Sequence, residues 1–215
     1  MIKIFAHRGF ATKQAPENSI ASLEEAHKRK FIGIEFDVWF INDSLLINHD
    51  LPQKNAIKNL PQLQDYLIFK NDFEYWIDFK NLDKSNIEKA AKLIAKEINA
   101  AQIDDKKIFL APFITDLNQA IPIYNSLRSN LKDPQIMAVC ENLAPQDASS
   151  YHRNLQKNNI KFLSIHHEII DESFIKIFSD ITLFAWTVND LTQLKKLNQI
   201  GVKNFTSDII TPQIL

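Results

Sequence analysis

Glycine is scarce in this chain. The 215 residues contain 3, where ordinary usage of about 7% would give roughly 15. A composition that drifts away from glycine keeps it where backbone geometry demands it, which singles out Gly9, Gly33 and Gly201. The glycine-rich first turn of a dinucleotide-binding fold is absent. Cysteine is scarcer still. Cys140 stands alone, so no internal disulfide can form and a four-ligand zinc site built on cysteines is excluded. Neither sign of charge is in surplus: 25 basic and 26 acidic residues leave a net charge of -1. The basic excess of a nucleic-acid binder is missing. No apolar run approaches the roughly 18 residues of a membrane span. Met1–His7 lacks the basic region and long apolar stretch of a signal peptide. These absences leave a cytoplasmic enzyme or a soluble binding module as the expectation, with no nucleic-acid partner and no membrane span.

What is present is an ordinary globular composition, 45% hydrophobic and 24% charged, with enough apolar surface to offset chain entropy. No linker, low-complexity tract or repeat divides the chain, so one domain over 1–215 is expected. Apolar patterning alternates between two periods. Short β-rich runs occur at Ile2–Ala6, Ile32–Val38, Phe73–Phe79, Lys107–Phe113, Gln135–Val139, Ile160–Ile165, Thr182–Val188 and Lys203–Thr206. Between them lie helical stripes: Ile87, Ala91, Ile94 and Ile98; Leu117, Ile121, Tyr124 and Leu131; Leu191, Leu194 and Leu197. Helix starts are marked by Asn18-Ser19, Asn59-Leu60-Pro61, Asp116 and Asp190, and Gly201 suits a left-handed C-cap. Strands alternating with helices predict parallel βα units, closed either as an open doubly wound sheet or as a (β/α)₈ barrel. Eight units favour the TIM barrel, although the chain is shorter than the typical roughly 250 residues.

A parallel barrel works at the C-terminal ends of its strands. The first run ends in His7-Arg8-Gly9, the second carries Glu35 and Asp37, and the third carries Asp78 and Lys80. In the last two pairs the spacing is i, i+2, which puts both side chains on one face of the sheet. Two carboxylates about 4 Å apart repel by roughly 4 kcal/mol at an effective dielectric near 20. A divalent cation removes that penalty, and an all-oxygen set selects a hard ion, Mg²⁺, Ca²⁺ or Mn²⁺, over zinc. The short run Ser44–Asn48 reads as a hairpin that returns His49 to the same rim. Two histidines beside a metal suit the acid and base of a hydrolytic step.

Ala6-His7-Arg8-Gly9, Ala15-Pro16-Glu17-Asn18-Ser19, Gly33-Ile34-Glu35-Phe36-Asp37-Val38 and Asn48-His49-Asp50 resemble, in order and spacing, the glycerophosphodiester phosphodiesterase family. Ala185-Trp186-Thr187-Val188-Asn189, Gly201-Val202 and Ser207-Asp208 extend the resemblance almost to the end of the chain. It implies a TIM barrel that hydrolyses a small-molecule phosphodiester to glycerol 3-phosphate and an alcohol with one divalent metal ion. On the matching positions, Glu35, Asp37 and Asp78 would be the metal ligands, with Asp78 standing where the family has Glu. His7 and His49 would be the acid/base pair, and Arg8 and Lys80 would hold the phosphate. Glu17 and Asn18 would orient Arg8 or touch the ligand, and Trp186 would wall the substrate pocket. The stretch after His49-Asp50 is much shorter than the family's insertion.

Among the remaining candidates, Glu141 and His166 follow strand ends from which they can reach substrate. Cys140 suits burial as a small hydrophobe. His27 and His152 lie in helical stretches as surface residues, and Phe5, Phe36, Phe79 and Phe184 are core positions. Two alternatives stand beside the glycerophosphodiesterase reading. One is a related barrel phosphodiesterase or phospholipase acting on another lipid headgroup. The other is a binding module that kept the fold without the chemistry.

Overall fold

Side chains alternate along the barrel strands, and the two faces of the ring enclose two separate cores. The computed structural model describes all 215 residues, Met1–Leu215. Its strands are β1 (Lys3–His7), β2 (Gly33–Ile41), β3 (Ser44–Ile47), β4 (Glu74–Phe79), β5 (Ile108–Pro112), β6 (Gln135–Cys140), β7 (Phe162–His166), β8 (Thr182–Trp186) and β9 (Asn204–Ser207). Parallel pairing runs β1-β9-β8-β7-β6-β5-β4-β2, and β1 also pairs β2, which closes the ring. The predicted TIM barrel is therefore present. Only β3 lies outside the ring. It pairs antiparallel with the outer end of β2, from Val38↔Ile47 to Ile41↔Ser44. Asn42 and Asp43 make its tight turn with φ of 50° and 58°, the left-handed geometry that two-residue hairpins need.

Helices α1 (Ile20–Lys28), α2 (Leu63–Tyr66), α3 (Ile87–Ala101), α4 (Leu117–Asn130), α5 (Ala148–Lys157), α6 (Glu172–Ile177) and α7 (Leu191–Gln199) surround the ring. The last βα unit ends in a 3-10 turn, Pro212–Ile214, instead of a full helix. Expected starts hold at Ser19, Asp116 and Asp190, whose side chains cap α1, α4 and α7. The helix expected from Pro61 instead begins at Leu63, where Gln62 and Asp65 form a reciprocal cap, and it lasts a single turn. In α4 the buried stripe is Leu117, Ala120, Ile123, Tyr124 and Leu127. Ile121 is half-buried and Leu131 falls just beyond the helix, so two members of the expected stripe are displaced.

A large core of 52 buried residues fills the space between ring and helices and includes Phe36 and Phe79. A second core plugs the lower barrel: Phe5, Trp76, Phe109, Ala111, Met137, Val139 and Phe184. Phe184 packs at 5.6 Å from Phe5, 5.4 Å from Trp76 and 4.8 Å from Phe109, centroid to centroid. Gly33 is required here: a Cβ would lie 2.5 Å from the Phe5 ring and 2.5 Å from the Glu74 carbonyl. Below this layer Lys3 and Glu74 form an ion pair at 2.5 Å. Above it the inward-facing positions turn polar.

Candidate active site

The inward set continues upward as His7 of β1, Glu35 and Asp37 of β2, Asp78 of β4, Ser164 of β7, Trp186 of β8 and Thr206 of β9. Together with Arg8, His49, Lys80, Phe113 and Glu141 they line one cavity of about 250 Å³ at the C-terminal mouth. Register explains the convergence: His7 pairs with Glu35, and Asp37 with Asp78, in adjacent strands.

Glu35, Asp37 and Asp78 are all buried, with oxygens that lie within 4.8 Å of one another. Burial, followed by the negative charge of Asp37, pushes the Glu35 carboxyl up to about 8. Burial also pushes Asp78 up to about 6, against the opposing pull of Lys80. Lys80 Nζ lies 2.7 Å from an oxygen of Asp37 and 2.7 Å from Oδ2 of Asp78. These contacts raise its pKa despite its partial burial. Asp78 Oδ1 is buried without any hydrogen-bond partner. An orphaned carboxylate oxygen beside two further carboxylates, with one ammonium among them, is a donor set that a hard divalent cation fits. The triad can hold such an ion.

The loop after β1 is shaped to support this layer. Arg8 has φ 54° and Gly9 φ 71°, a reversal that aims the Arg8 amide at Glu35 Oε2, 3.1 Å away. A Cβ on Gly9 would lie 2.5 Å from Ser22 Oγ, so α1 can approach only glycine here. The Arg8 guanidinium sits 3.0 Å from Glu17 and 3.3 Å from Asp37 Oδ2. Asn18, in the left-handed region with φ 54°, donates to the same Asp37 oxygen at 2.7 Å and accepts from the Asp37 amide at 3.3 Å. Glu17 and Asn18 thus act on Arg8 and Asp37, and neither lines the cavity.

His7 is held from behind. Its Nδ1 lies 2.6 Å from Asp208 Oδ1, and its Nε2 lies 3.8 Å from Glu35 Oε2. Asp208 is in turn bound by Asn189, whose amide donates to Oδ2 at 2.6 Å. Burial alone would lower the His7 pKa, but the Asp208 hydrogen bond and the Glu35 charge outweigh it and the net shift is upward. An ionised Asp208 only accepts, so it fixes the proton on Nδ1 and leaves Nε2 toward the cavity. His49 is more open. Its Nδ1 lies 2.9 Å from Asp50, and its carbonyl accepts from the Trp39 indole at 3.2 Å.

Trp186 walls the cavity opposite the acids, with Phe113 at 6.4 Å and His166 edge-on at 5.2 Å. His166 therefore packs on Trp186 and is not itself a lining residue. Glu141 does line the cavity and is exposed. Residues without a role in the sequence analysis also belong to the site: Trp76, Phe113, Ser164, Thr187 and Thr206 line the cavity, and Asp208 backs His7. Thr206 Oγ1 and Trp186 Nε1 are buried and lack partners, which leaves two polar groups for a ligand. Elsewhere, Cys140 is buried as expected, and burial pushes its thiol up to about 11. His27 pairs with Asp72 at the surface. His152, expected at the surface, is half-buried against Phe178 and bonds Asp180 at 2.6 Å.

No family model matches the chain, and neither does any curated protein sequence. Solved structures do match its fold. A glycerophosphodiester phosphodiesterase from Parabacteroides distasonis superposes with a TM-score of 0.76 at 22% identity, over 96% of this chain and 92% of that one. A phosphodiesterase from Oleispira antarctica, in complex with the product sn-glycerol-3-phosphate, gives 0.73 at 18% identity, over 96% and 92%. A calcium-dependent phosphoinositol-specific phospholipase C from a Pseudomonas species gives 0.64 at 12%, over 96% and 87%. This chain has the barrel fold of the glycerophosphodiester phosphodiesterases.

Proposed function

We propose that the protein is a phosphoric diester hydrolase that cleaves a glycerophosphodiester to sn-glycerol 3-phosphate and an alcohol. One observation carries this reading. Two histidines, an arginine and a lysine converge with a buried carboxylate triad in a single cavity at the catalytic end of the barrel. The fold likeness to phosphodiesterases, one of them bound to glycerol 3-phosphate, supports the same reaction class.

Glu35, Asp37 and Asp78 would hold one divalent ion, Mg²⁺, Ca²⁺ or Mn²⁺, which when bound supplies electrophilic polarisation of a phosphoryl oxygen. The chain's own groups do the rest. Arg8 and Lys80, both fixed by carboxylates, offset charge that grows on the phosphoryl oxygens. His7 Nε2, made more basic by Asp208 behind it, takes the proton of the attacking hydroxyl. His49, on the exposed side of the mouth, gives a proton to the departing alcohol. Trp186 and Phe113 flank the substrate. Glu17 and Asn18 keep Arg8 and Asp37 in place.

The test is an assay for released glycerol 3-phosphate across a panel of headgroups, with chelator and then with each metal restored. Activity that vanishes with EDTA and returns with a hard divalent ion is the expected result. Release of a phosphorylated headgroup in place of glycerol 3-phosphate would transfer the reading to the phospholipase C type of cleavage. Full turnover in a chelated preparation would remove the metal from it.

A further inference from the structure

The opposite end of the barrel carries a feature that phosphodiester hydrolysis does not use. Where β5, β6 and β7 begin, a cleft of about 610 Å³ opens to solvent, lined by Lys106, Arg128, Lys132 and Lys161 against the single carboxylate of Asp133. None of these four cations has a carboxylate within 4.0 Å, so no internal ion pair neutralises the cleft. Arg128 is half-buried. Its guanidinium makes one hydrogen bond, to the Asn159 carbonyl at 3.1 Å. Burial lowers its pKa, and only the Tyr124 phenol opposes that shift. The inner wall is aromatic: Phe109 and the half-buried Phe162 meet edge to face at 5.3 Å.

Chains of near-neutral net charge, such as this one at -1, do not need to gather like charges around one concavity. Cations near the C-terminus of α4 offset that helix's dipole, which accounts for Arg128 and Lys132. It does not account for Lys106 and Lys161, which precede β5 and β7. Four cations from three segments, lining a hollow with an apolar floor, form a receptor for negative charge. The volume falls in the range of small-ligand sites, and the patch is confined to one cleft rather than spread along a face, as nucleic acid would require.

We propose that this cleft binds a small, multiply charged phosphate compound, such as a pyrophosphate group or a molecule bearing one, with Arg128 as its central contact. The site lies at the end of the barrel remote from the catalytic cavity, so occupancy is independent of the metal ligands and of both rim histidines.

Inorganic pyrophosphate is the probe, titrated calorimetrically into the full chain in EDTA at low ionic strength. The expected result is saturable one-to-one binding that weakens steeply with salt. Lys80→Ala, which removes one of the two cations that would hold phosphate in the catalytic cavity, should leave this binding intact. Arg128→Gln and, separately, Lys132→Gln with Lys161→Gln should each weaken it at least ~10-fold. The lysine pair is exposed, so its loss cannot be blamed on unfolding, and circular dichroism checks Arg128→Gln. Absence of saturable binding would overturn the proposal. So would binding that disappears in Lys80→Ala and survives in the cleft variants, because the probe would then report only the catalytic site.

Discussion

Asp208 matters because a carboxylate behind an imidazole decides which ring nitrogen is free. At 2.6 Å from His7 Nδ1 it holds the tautomer that presents Nε2 to the cavity. Asp208→Asn keeps the size but can hold the opposite tautomer. On the proposed mechanism kcat should fall by ~10²-fold or more, the usual scale of acid–base catalysis, with KM and metal affinity little changed. His7→Ala and His49→Ala should lose at least as much, and steady-state kinetics on one glycerophosphodiester compares all three. Near wild-type turnover in Asp208→Asn would leave that carboxylate as an ion-pair partner only. At Asp78 the prediction separates charge from reach: Asp78→Glu should be tolerated, and Asp78→Asn should weaken metal affinity in a calorimetric titration. Equal affinity of Asp78→Asn and wild type would make Asp78 the anchor of Lys80 rather than a ligand. The i, i+2 spacing within single strands made the acids and Lys80 legible in the sequence. Asp208 was not legible as a partner of His7, because the two lie 201 positions apart and meet only when the ring closes.

At the scale of elements, the strands and most helix starts were readable because alternation and side-chain caps are local. What escaped was set by neighbours. The helix expected after Pro61 starts late, because Gln62 bridges to Leu46 of the hairpin, and after one turn it passes into a 3-10 segment at Leu67, while a 3-10 turn replaces the last helix. α3 supplies a pH prediction. Burial pushes the Glu97 carboxyl from 4.5 up to about 7, and its Oε2 is buried without a partner. A raised acid pKa means that the folded state holds the proton more tightly. Its contribution to stability therefore falls as pH rises from about 4.5 to about 7. Glu97→Gln should remove that slope, giving urea midpoints that differ less between pH 5 and pH 8 than in wild type. An unchanged pH dependence would place the titration elsewhere. In the barrel itself, Gly33→Ala should destabilise by about 1–3 kcal/mol, the usual cost of overpacking, because neither the Phe5 ring nor the Glu74 backbone can yield freely. A denaturant titration measures it.

For the whole molecule, the barrel divides its interior between two demands. The aromatic floor supplies apolar burial, whereas the layer above it places three carboxylates within 4.8 Å of one another, at a cost that Lys80 offsets only in part. A bound cation should therefore act as a stabiliser of the entire fold. A ligand at about 100 times its Kd contributes about 2.7 kcal/mol. For a chain of this size each kcal/mol moves Tm by about 2–4 °C. Saturating Mg²⁺, Ca²⁺ or Mn²⁺ should thus raise Tm by roughly 5–10 °C over an EDTA-treated sample. Glu35→Gln separates the two sources of that shift. Burial and the Asp37 charge push the Glu35 carboxyl up to about 8, so its ionisation opposes folding in the metal-free protein, and the neutral amide removes that cost. Metal-free Glu35→Gln should accordingly melt at or above the wild-type temperature, while its metal-induced increment shrinks to a small fraction. Equal increments in the two proteins would mean that the stabilising ion binds somewhere other than the triad.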